Sequence, residues 1–544
     1  MDPPLLGLYF MAMHLGANIM RRRRFLATSA GVLAAPAIAR GESRTTLKLI
    51  PEGDLPILDP VFTTATVVRN HGYFVFDTLY GMDAEYRIQP QMVQGHTVED
   101  DGKRWILTLR PGLMFHDNTP VLARDCVASI RRYCARDSFG QALMDATEEL
   151  SALDDRRIQF RLKRPFPLLP NVLGKASTPM PCIMPERLAL TDPNKQVTEM
   201  VGSGPFRFVT GERVPGSRVV YQRFDGYVPR ADGPATFTAG PKRAHFERVE
   251  WHVIPDASTA VSALVNGEVD WVQIPAPDLL PVIRGNAKLA TMRLEPGGAL
   301  AIMRFNHLYP PFDNPAIRRA LLWGVDQAEF QTAVFGDDKT LWADGVGYFS
   351  PGTPMANKGG MEPLLGKRDL DRVKRDLAAA GYKNEKVVML GGSDYPSIHP
   401  QALVGAELLR KVGMNVDLQT ADWGTTVQRR GSRKPPSEGG WNIFYSNITG
   451  VNNFDPAGHL GLRGNGDGAW FGWPKSPEIE ALRLRWIYAE SLAERQRICE
   501  DLQVQAFRDV PYIPLGAQYF PCAYSKSIGA PRIGFVQCYD VARV

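Results

Sequence analysis

Two hydrophobic patterns follow each other directly between residues 101 and 134. Trp105, Leu107 and Leu109 recur at every second position, which is the period of a half-buried strand. Asp117-Asn118-Thr119-Pro120 ends this run because it is rich in turn-forming residues. Beyond it, Leu122, Cys126, Ile130 and Cys134 recur at every fourth position, as the buried face of a helix does. The pattern predicts a strand, a turn and a helix in this order.

Helical and strand-like segments also alternate in the second half of the chain. Residues 371–380 and 402–412 have helical spacing and each is followed by a glycine, whereas residues 386–390 and 414–418 have the composition of strands. Such alternation favours a mainly parallel sheet. A long helical run is predicted from Ser476-Pro477 to a point before Pro511, with a strand after it.

Local signals mark two further boundaries. Asp256 is a good cap for a helix that ends at Asn266-Gly267, because aspartate accepts N-terminal backbone hydrogen bonds and glycine adopts the left-handed conformation. Glu295-Pro296-Gly297-Gly298 is predicted to be a crossing between two parts of the fold.

The residue order adds a resemblance to these patterns. Asp101-Gly102-Lys103, Phe115-His116-Asp117-Asn118-Thr119-Pro120 and Ala123-Arg124-Asp125-Cys126 resemble the signature of the bacterial family 5 extracellular solute-binding proteins. Asn118 replaces the family's glycine and Cys126 a valine. Residues 202–206 and 311–321 resemble further family segments, so the resemblance covers nearly the whole mature chain. It implies an α/β, type II periplasmic-binding-protein-like fold with two lobes, a hinge and an inserted third domain.

The resemblance also implies boundaries for these domains. Residues 1–39 are predicted to be a removed export signal, residues 79–199 the inserted domain and residues 297–509 the second lobe. The first lobe is expected to combine three segments, 44–78, 200–296 and 510–544.

The N-terminus has the charged, apolar and small-residue regions of an export signal. Arg21 to Arg24 precede Phe25-Leu26, a pattern typical of twin-arginine signals, and Ala37-Ile38-Ala39 is the predicted cleavage site. A general secretory signal is the alternative, and Met20 could be the true start. No cysteine follows the small-residue site, so no lipid anchor is expected there. We therefore expect a soluble protein of the periplasm.

Charge and composition exclude some classes of function. The net charge is +5, and it falls to +2 without residues 1–39, which contain four arginines and Asp2. Nucleic-acid binding is therefore not expected. Six cysteines are scattered through the chain without a Cys-x-x-Cys motif, and whether any pair bonds stays open: Cys126, Cys134, Cys182, Cys499, Cys522 and Cys538.

The motifs of common enzymes are absent from the sequence. There is no Gly-x-Ser-x-Gly elbow and no His-Glu-x-x-His, and the histidines do not cluster at metal-ligand spacing. We expect no catalytic residues, no cofactor and no metal ion. A secreted hydrolase with a spatially assembled site is the alternative.

The resemblance implies the binding component of an ABC importer of the peptide and nickel type. Its ligand would be a small organic solute or a peptide, its partners the inner-membrane permease subunits, and its state a monomer. The candidate ligand-binding residues are Thr63, Thr64, Ala65, Asp394, Tyr395, Trp441, Thr449, Gly450, Val451, Asn452, Asn453, Trp470 and Trp473.

Two charged anchors of the dipeptide-binding relatives are not found in the aligned positions. Val451 stands where these relatives have an aspartate, and residues 391–396 contain no arginine. A modified peptide, an amine or an aromatic compound is therefore predicted rather than a plain dipeptide. Core packing is the alternative for Trp441, and an exposed turn is the alternative for Asp394.

Overall fold

The computed structural model describes residues 45–233 and 235–544. The predicted export signal lies outside the described residues. The strands are β1 Thr46–Ile50, β2 Tyr80–Met82, β3 Ile88–Pro90, β4 Val93–Glu99, β5 Arg104–Leu109, β6 Thr147–Ala152, β7 Arg157–Leu162, β8 Phe206–Phe208, β9 Arg218–Arg223, β10 Arg248–His252, β11 Trp271–Val272, β12 Leu289–Arg293, β13 Ala299–Phe305, β14 Trp342–Ala343, β15 Lys386–Gly392, β16 Asn415–Ala421, β17 Ile443–Thr449, β18 Tyr512–Gln518 and β19 Pro521–Ser525.

The helices of the described residues are α1 Thr66–Val75, α2 Ala123–Arg136, α3 Ser138–Ala146, α4 Leu169–Leu173, α5 Glu186–Ala189, α6 Ala257–Asn266, α7 Leu280–Arg284, α8 Pro315–Leu322, α9 Gln327–Phe335, α10 Glu362–Leu365, α11 Leu370–Ala379, α12 His399–Lys411, α13 Trp423–Arg429, α14 Gly450–Asn453, α15 Pro477–Tyr488 and α16 Leu492–Asp509. Among these residues, no helix is both long enough and apolar enough to span a bilayer.

The first sheet has the strand order β12-β19-β11-β1-β10-β9-β8. Its central strand β1 runs parallel to β10 and β11, so that Leu49 lies opposite Trp251 on one side and Trp271 on the other. These three side chains are buried. The first sheet is thus built around an apolar centre to which α1 contributes Phe74 and Val75.

The second sheet has the strand order β14-β18-β13-β17-β15-β16. Every residue of β13 is buried, which marks it as the centre of the core. The prediction of a mainly parallel sheet was wrong. Only β15 pairs in parallel here, with β16 and β17, while β13 pairs antiparallel with β17 and β18. The reason is that β13 follows β12 of the first sheet directly and β18 leads directly to β19 of that sheet, so neither strand is linked to a parallel neighbour by a helical crossover.

The third sheet has the strand order β4-β5-β7-β6. Its strand β5 and the helix α2 confirm the strand and the helix predicted between residues 101 and 134. Trp105, Leu107 and Leu109 are buried on one face of β5, and Cys126 and Ile130 are buried on α2. The apolar core of this sheet continues into that of the second sheet. In the described chain all six cysteines are buried free thiols.

Most of the predicted local boundaries are present in the structure. Asp256 accepts a hydrogen bond from the Thr259 N–H (2.7 Å) at the start of α6, and Gly267 ends the helix at φ +77°. The long helical run predicted from Ser476 is two helices, α15 and α16. Ser491 interrupts it because its hydroxyl accepts from the Glu494 N–H and caps a new helix.

The chain crosses between the first and second sheets twice. The first crossing, residues 294–298, connects β12 to β13, and the second, residues 519–520, connects β18 to β19. Strand Tyr512–Gln518 therefore pairs in the second sheet, although it lies in the 510–544 segment predicted for the first lobe. The strand pairing therefore shows that the chain returns to the first sheet at β19 and not at residue 510. The domain boundaries as a whole stay a prediction.

Candidate ligand-binding cleft

A cleft of about 90 Å³ lies between the first and second sheets, next to both crossings. It is bounded by the end of β1, by α1, by the C-terminal loop and by the end of β17. Its lining residues are Glu52, Thr66, Arg69, Gln273, Ile274, Leu294, Glu295, Gly298, Ala299, Thr449, Phe520, Gly534, Phe535 and Val536. Polar and apolar groups from distant parts of the sequence therefore meet at this place, as they do in binding sites for small molecules.

Arg69 is the cation of the cleft lining. It lies on α1 with only 3% of its surface exposed, and its guanidinium stacks on the ring of Phe535 at 3.9 Å. Its Nε and Nη2 atoms lie 3.4 and 3.2 Å from Asn70 Oδ1. Within the described chain, Nη1 has no hydrogen-bond partner. Burial lowers the pKa of Arg69, while Glu295 and Glu52 act in the opposite direction.

Glu52 follows β1 and faces the same cleft. Its carboxylate accepts a hydrogen bond from the Thr66 hydroxyl of α1, and its backbone N–H donates to Gln273 Oε1 (2.9 Å). Glu52 is an exposed residue that lines the cleft. Desolvation by the neighbouring protein raises the pKa of its carboxyl group, although the Thr66 hydrogen bond and Arg69 lower it in part.

Glu295 lies in the first crossing and links it to the second sheet. Its Oε1 accepts a hydrogen bond from the Val451 N–H (2.8 Å) at the start of α14. Burial raises the pKa of Glu295 to about 7, although Arg69 and the hydrogen bond from Val451 favour its ionised form. A carboxyl group with a raised pKa therefore lies in the first crossing.

Glycine is required where the two crossings touch. Gly298 has φ +59°, and a Cβ added there would lie 2.4 Å from the carbonyl oxygen of Gln518. The Gly450 N–H also donates to the Gly298 carbonyl (2.6 Å). The crossings therefore approach each other so closely that no side chain fits between them.

Several of the predicted ligand residues lie at this crossing. Thr449 lines the cleft, and its hydroxyl accepts from Asn452 Nδ2 (2.9 Å). The Gly450 and Val451 N–H groups donate to Gly298 and Glu295 of the first crossing. The Val451 side chain is fully buried in the apolar core of the first sheet. Asn453 is buried as well and donates to the Ile448 carbonyl (3.0 Å). Of these four residues and Asn452, only Thr449 is part of the cleft lining.

The candidate residues of the segment before α1 and of the loop after β15 lie outside the cleft lining. Thr63, Thr64 and Ala65 precede α1 directly and position it, whereas Thr66 and Arg69 line the cleft. Tyr395 is 37% exposed and packs against Trp423. Desolvation by the neighbouring protein raises the pKa of Tyr395 to about 12, with a contribution from Glu52.

Asp394 and the predicted tryptophans have partners within the second lobe. Asp394 is exposed, and its carboxylate accepts from the Trp423 N–H (2.6 Å) at the start of α13. Trp441 is fully buried and packs on Trp473, with ring centroids 6.1 Å apart. Trp470 packs on the same apolar cluster. None of these tryptophans belongs to the lining of the cleft.

The sequence prediction missed the charged residues of the cleft. Arg69 stands in a helix in which all residues from 67 to 75 are buried, and a charge in such a segment is the signal that could have identified it. Glu295 directly precedes the predicted crossing. The charged groups of the cleft lie on the loop after β1, on α1 and in the first crossing, not at the positions 391–396 and 451 that align with the anchors of the dipeptide-binding relatives.

A larger groove of about 670 Å³ lies within the second lobe, beside Trp473 and Arg318. Its buried charges already have partners: Arg318 donates to the carbonyls of Phe312 and Asp509, and Ser476 donates to the Asp509 carboxylate (2.5 Å). All its lining residues come from the part of the chain between 307 and 511. It therefore lacks the unpaired polar group and the two-sheet construction of the cleft.

Two sheets joined by two short crossings around a cleft are the architecture of a two-lobed ligand-binding protein. The profile described as bacterial extracellular solute-binding proteins, family 5 Middle, matches residues 87–469. The chain belongs to this family, which confirms the resemblance read from its sequence.

Relatives and solved structures agree with this assignment. A probable peptide ABC transporter periplasmic-binding protein of Sinorhizobium fredii, y4tO, is 36% identical over 529 residues, which cover 94% of this chain and 97% of that protein. The binding protein DppA of Helicobacter pylori in complex with peptide STSA has a TM-score of 0.76 at 20% identity, with 92% of this chain and 98% of that chain covered.

The binding protein AgaA of A. tumefacien R10 in complex with agropinic acid has a TM-score of 0.74 at 19% identity, with 92% and 99% covered. These likenesses confirm the predicted α/β, type II periplasmic-binding-protein fold. The named relatives are binding proteins rather than enzymes, and nothing in these likenesses supports the alternative of a secreted hydrolase.

Proposed function

We propose that this protein is the periplasmic binding component of an ABC importer that captures a peptide or another small organic solute in the cleft. The observation that carries the proposal is the meeting of Arg69, Glu52 and Glu295 between the two sheets. The name of y4tO, which this chain matches over nearly the whole length of both proteins, supports an importer of the peptide type. The permease subunits of the inner membrane would receive the solute.

Capture would occur by hinge closure. The cleft volume of about 90 Å³ is small beside the roughly 300–1,000 Å³ of most ligand pockets, so a solute needs the lobes to separate before it enters. The two short crossings at Gly298 and at residues 519–520 are the positions about which the lobes would turn. Thr449 and Tyr395 would contact the solute from the second lobe.

Mass spectrometry tests the proposal most simply. The protein is purified from native periplasm without denaturation, and the small molecules that it releases on unfolding are identified. We expect one compound or one class of compounds in near-equimolar amount. Adding it back to ligand-free protein should stabilise the fold, by about 2.7 kcal/mol at a hundredfold excess over Kd. Absence of any retained compound, or conversion of the compound by the protein, would contradict the proposal.

A further inference from the structure

We propose that Arg69 anchors a carboxylate of the solute and that Glu52 and Glu295 accept a basic nitrogen of the same molecule. The solute would therefore be an amphoteric organic acid, held by charges of the first lobe and of the crossing. This inference rests on the proposed function, because it assigns the ligand of the same cleft.

The geometry of Arg69 indicates an anion site. The guanidinium is held in place from two sides, by Asn70 Oδ1 and by the ring of Phe535, and Phe535 is itself packed against Tyr73 with ring centroids 5.0 Å apart. Its orientation is therefore fixed before a ligand arrives, which reduces the entropy lost on binding. Nη1 remains without a partner in the described chain, although Arg69 is 3% exposed. A carboxylate oxygen is the partner that a buried guanidinium N–H binds most strongly.

Arg69 is not neutralised by a direct ion pair with any described residue. Glu295 and Glu52 are the carboxylates that act on it electrostatically, but neither lies within the 4.0 Å of a salt bridge. The Glu295 carboxylate is instead held by the Val451 N–H and that of Glu52 by the Thr66 hydroxyl. The three groups are thus held by separate partners, no ion pair joins any two of them, and all three line the same cleft.

The balance of charge selects the type of ligand. An anion without a basic group would bring a further negative charge next to the carboxyl groups of Glu52 and Glu295. A cation without a carboxylate would leave Nη1 of Arg69 unpaired. A molecule with both groups satisfies Arg69 and offsets the carboxylates at the same time. The arrangement therefore favours amphoteric molecules over simple acids and simple amines.

Chemical modification of the released compounds tests the inference even while their identity is unknown. The pool released from native protein is divided into an untreated part, a part with its carboxyl groups amidated and a part with its amines acetylated. Rebinding of each part to ligand-free protein is measured by mass spectrometry. We expect both modified pools to bind at least about 30-fold more weakly than the untreated pool, as the loss of one partner of a buried charge pair predicts.

Variants of Arg69 assign the carboxylate effect to this residue. Arg69→Gln should bind the untreated pool at least about 30-fold more weakly and should no longer distinguish it from the amidated pool. Arg69→Lys, which keeps the charge but not the planar fork, should be intermediate. Arg372→Gln is the matched control, because Arg372 also stacks on an aromatic ring, that of Trp323 at 3.6 Å, but does not line the cleft. Circular dichroism verifies that each variant is folded.

The outcomes of these experiments distinguish failure of the inference from failure of the proposed function. A retained compound without a carboxylate or without a basic nitrogen would overturn the inference and leave the binding function intact. The same holds if the amidated pool rebinds like the untreated one, or if folded Arg69→Gln still prefers the untreated pool. Release of no compound from the native protein would contradict both.

Discussion

At the scale of single residues, the distinctive feature of the cleft is that it contains charged side chains with little access to water, Arg69 and Glu295. Arg69 is placed in a buried stretch of α1, where its guanidinium stacks on Phe535 while Nη1 has no partner in the described chain. Glu295 is placed in a crossing, where backbone N–H groups of the other lobe stabilise its carboxylate. Such placements destabilise the fold locally and are typical of binding sites.

The raised pKa of Glu295 predicts how the stability of the protein changes with pH. Burial raises its pKa from 4.5 to about 7, so the folded protein binds more protons than the unfolded chain between these values. The free energy of unfolding that this group contributes should therefore decrease as the pH rises from about 4.5 to about 7. We expect the melting temperature of the wild type, relative to that of Glu295→Gln, to fall across this range.

The control for this comparison is Glu268→Gln, which changes an exposed glutamate at the end of α6. Its melting temperature should follow that of the wild type at every pH. A wild type whose melting temperature runs parallel to that of Glu295→Gln from pH 4.5 to pH 7 would show that the carboxyl titrates normally.

At the scale of elements, the two crossings determine how the lobes are joined. Gly298→Ala would place a methyl group against the Gln518 carbonyl at a residue with φ +59°, so both strain and a clash are expected. The variant Gly267→Ala isolates the strain, because Gly267 has φ +77° but no atom within 4 Å of the added Cβ. We expect Gly267→Ala to lower the free energy of unfolding by about 1–2 kcal/mol.

Gly298→Ala should lower it by roughly 1–3 kcal/mol more, because the clash adds to the strain. Urea unfolding of both variants measures the difference. Equal destabilisation of the two variants would mean that the crossings separate easily and do not define a fixed hinge.

Elements with strong local signals were predictable from the sequence. The alternation in β5, the fourfold spacing in α2 and the caps of α6 were read correctly, because each depends on neighbours along the chain. The strand pairing was not, since β18 joins the second sheet and β19 the first, although only two residues separate them. The candidate site was predicted in part for the same reason. Thr449, a residue named from the sequence, lies in the cleft lining, but nothing local in the sequence shows that Arg69 and Glu295 reach the same cleft.

At the scale of the whole molecule, the proposed function depends on export and on capture. Residues 1–39 were interpreted as a twin-arginine signal, so changing Arg22 and Arg23 to lysine should abolish export of the folded chain. Cell fractionation followed by immunoblotting measures it. A double lysine variant that still appears in the periplasm at wild-type level would instead favour the general secretory route.

Capture, as proposed above, places the solute between the two sheets and in contact with Arg69. A crystal structure of the protein purified from native periplasm with its retained compound would show this contact or its absence. We expect electron density in the cleft, with a carboxylate within hydrogen-bond distance of Arg69 Nη1 and a basic nitrogen facing Glu52 or Glu295. Density for the compound in the groove beside Trp473, or in the cleft without contact to Arg69, would contradict this placement.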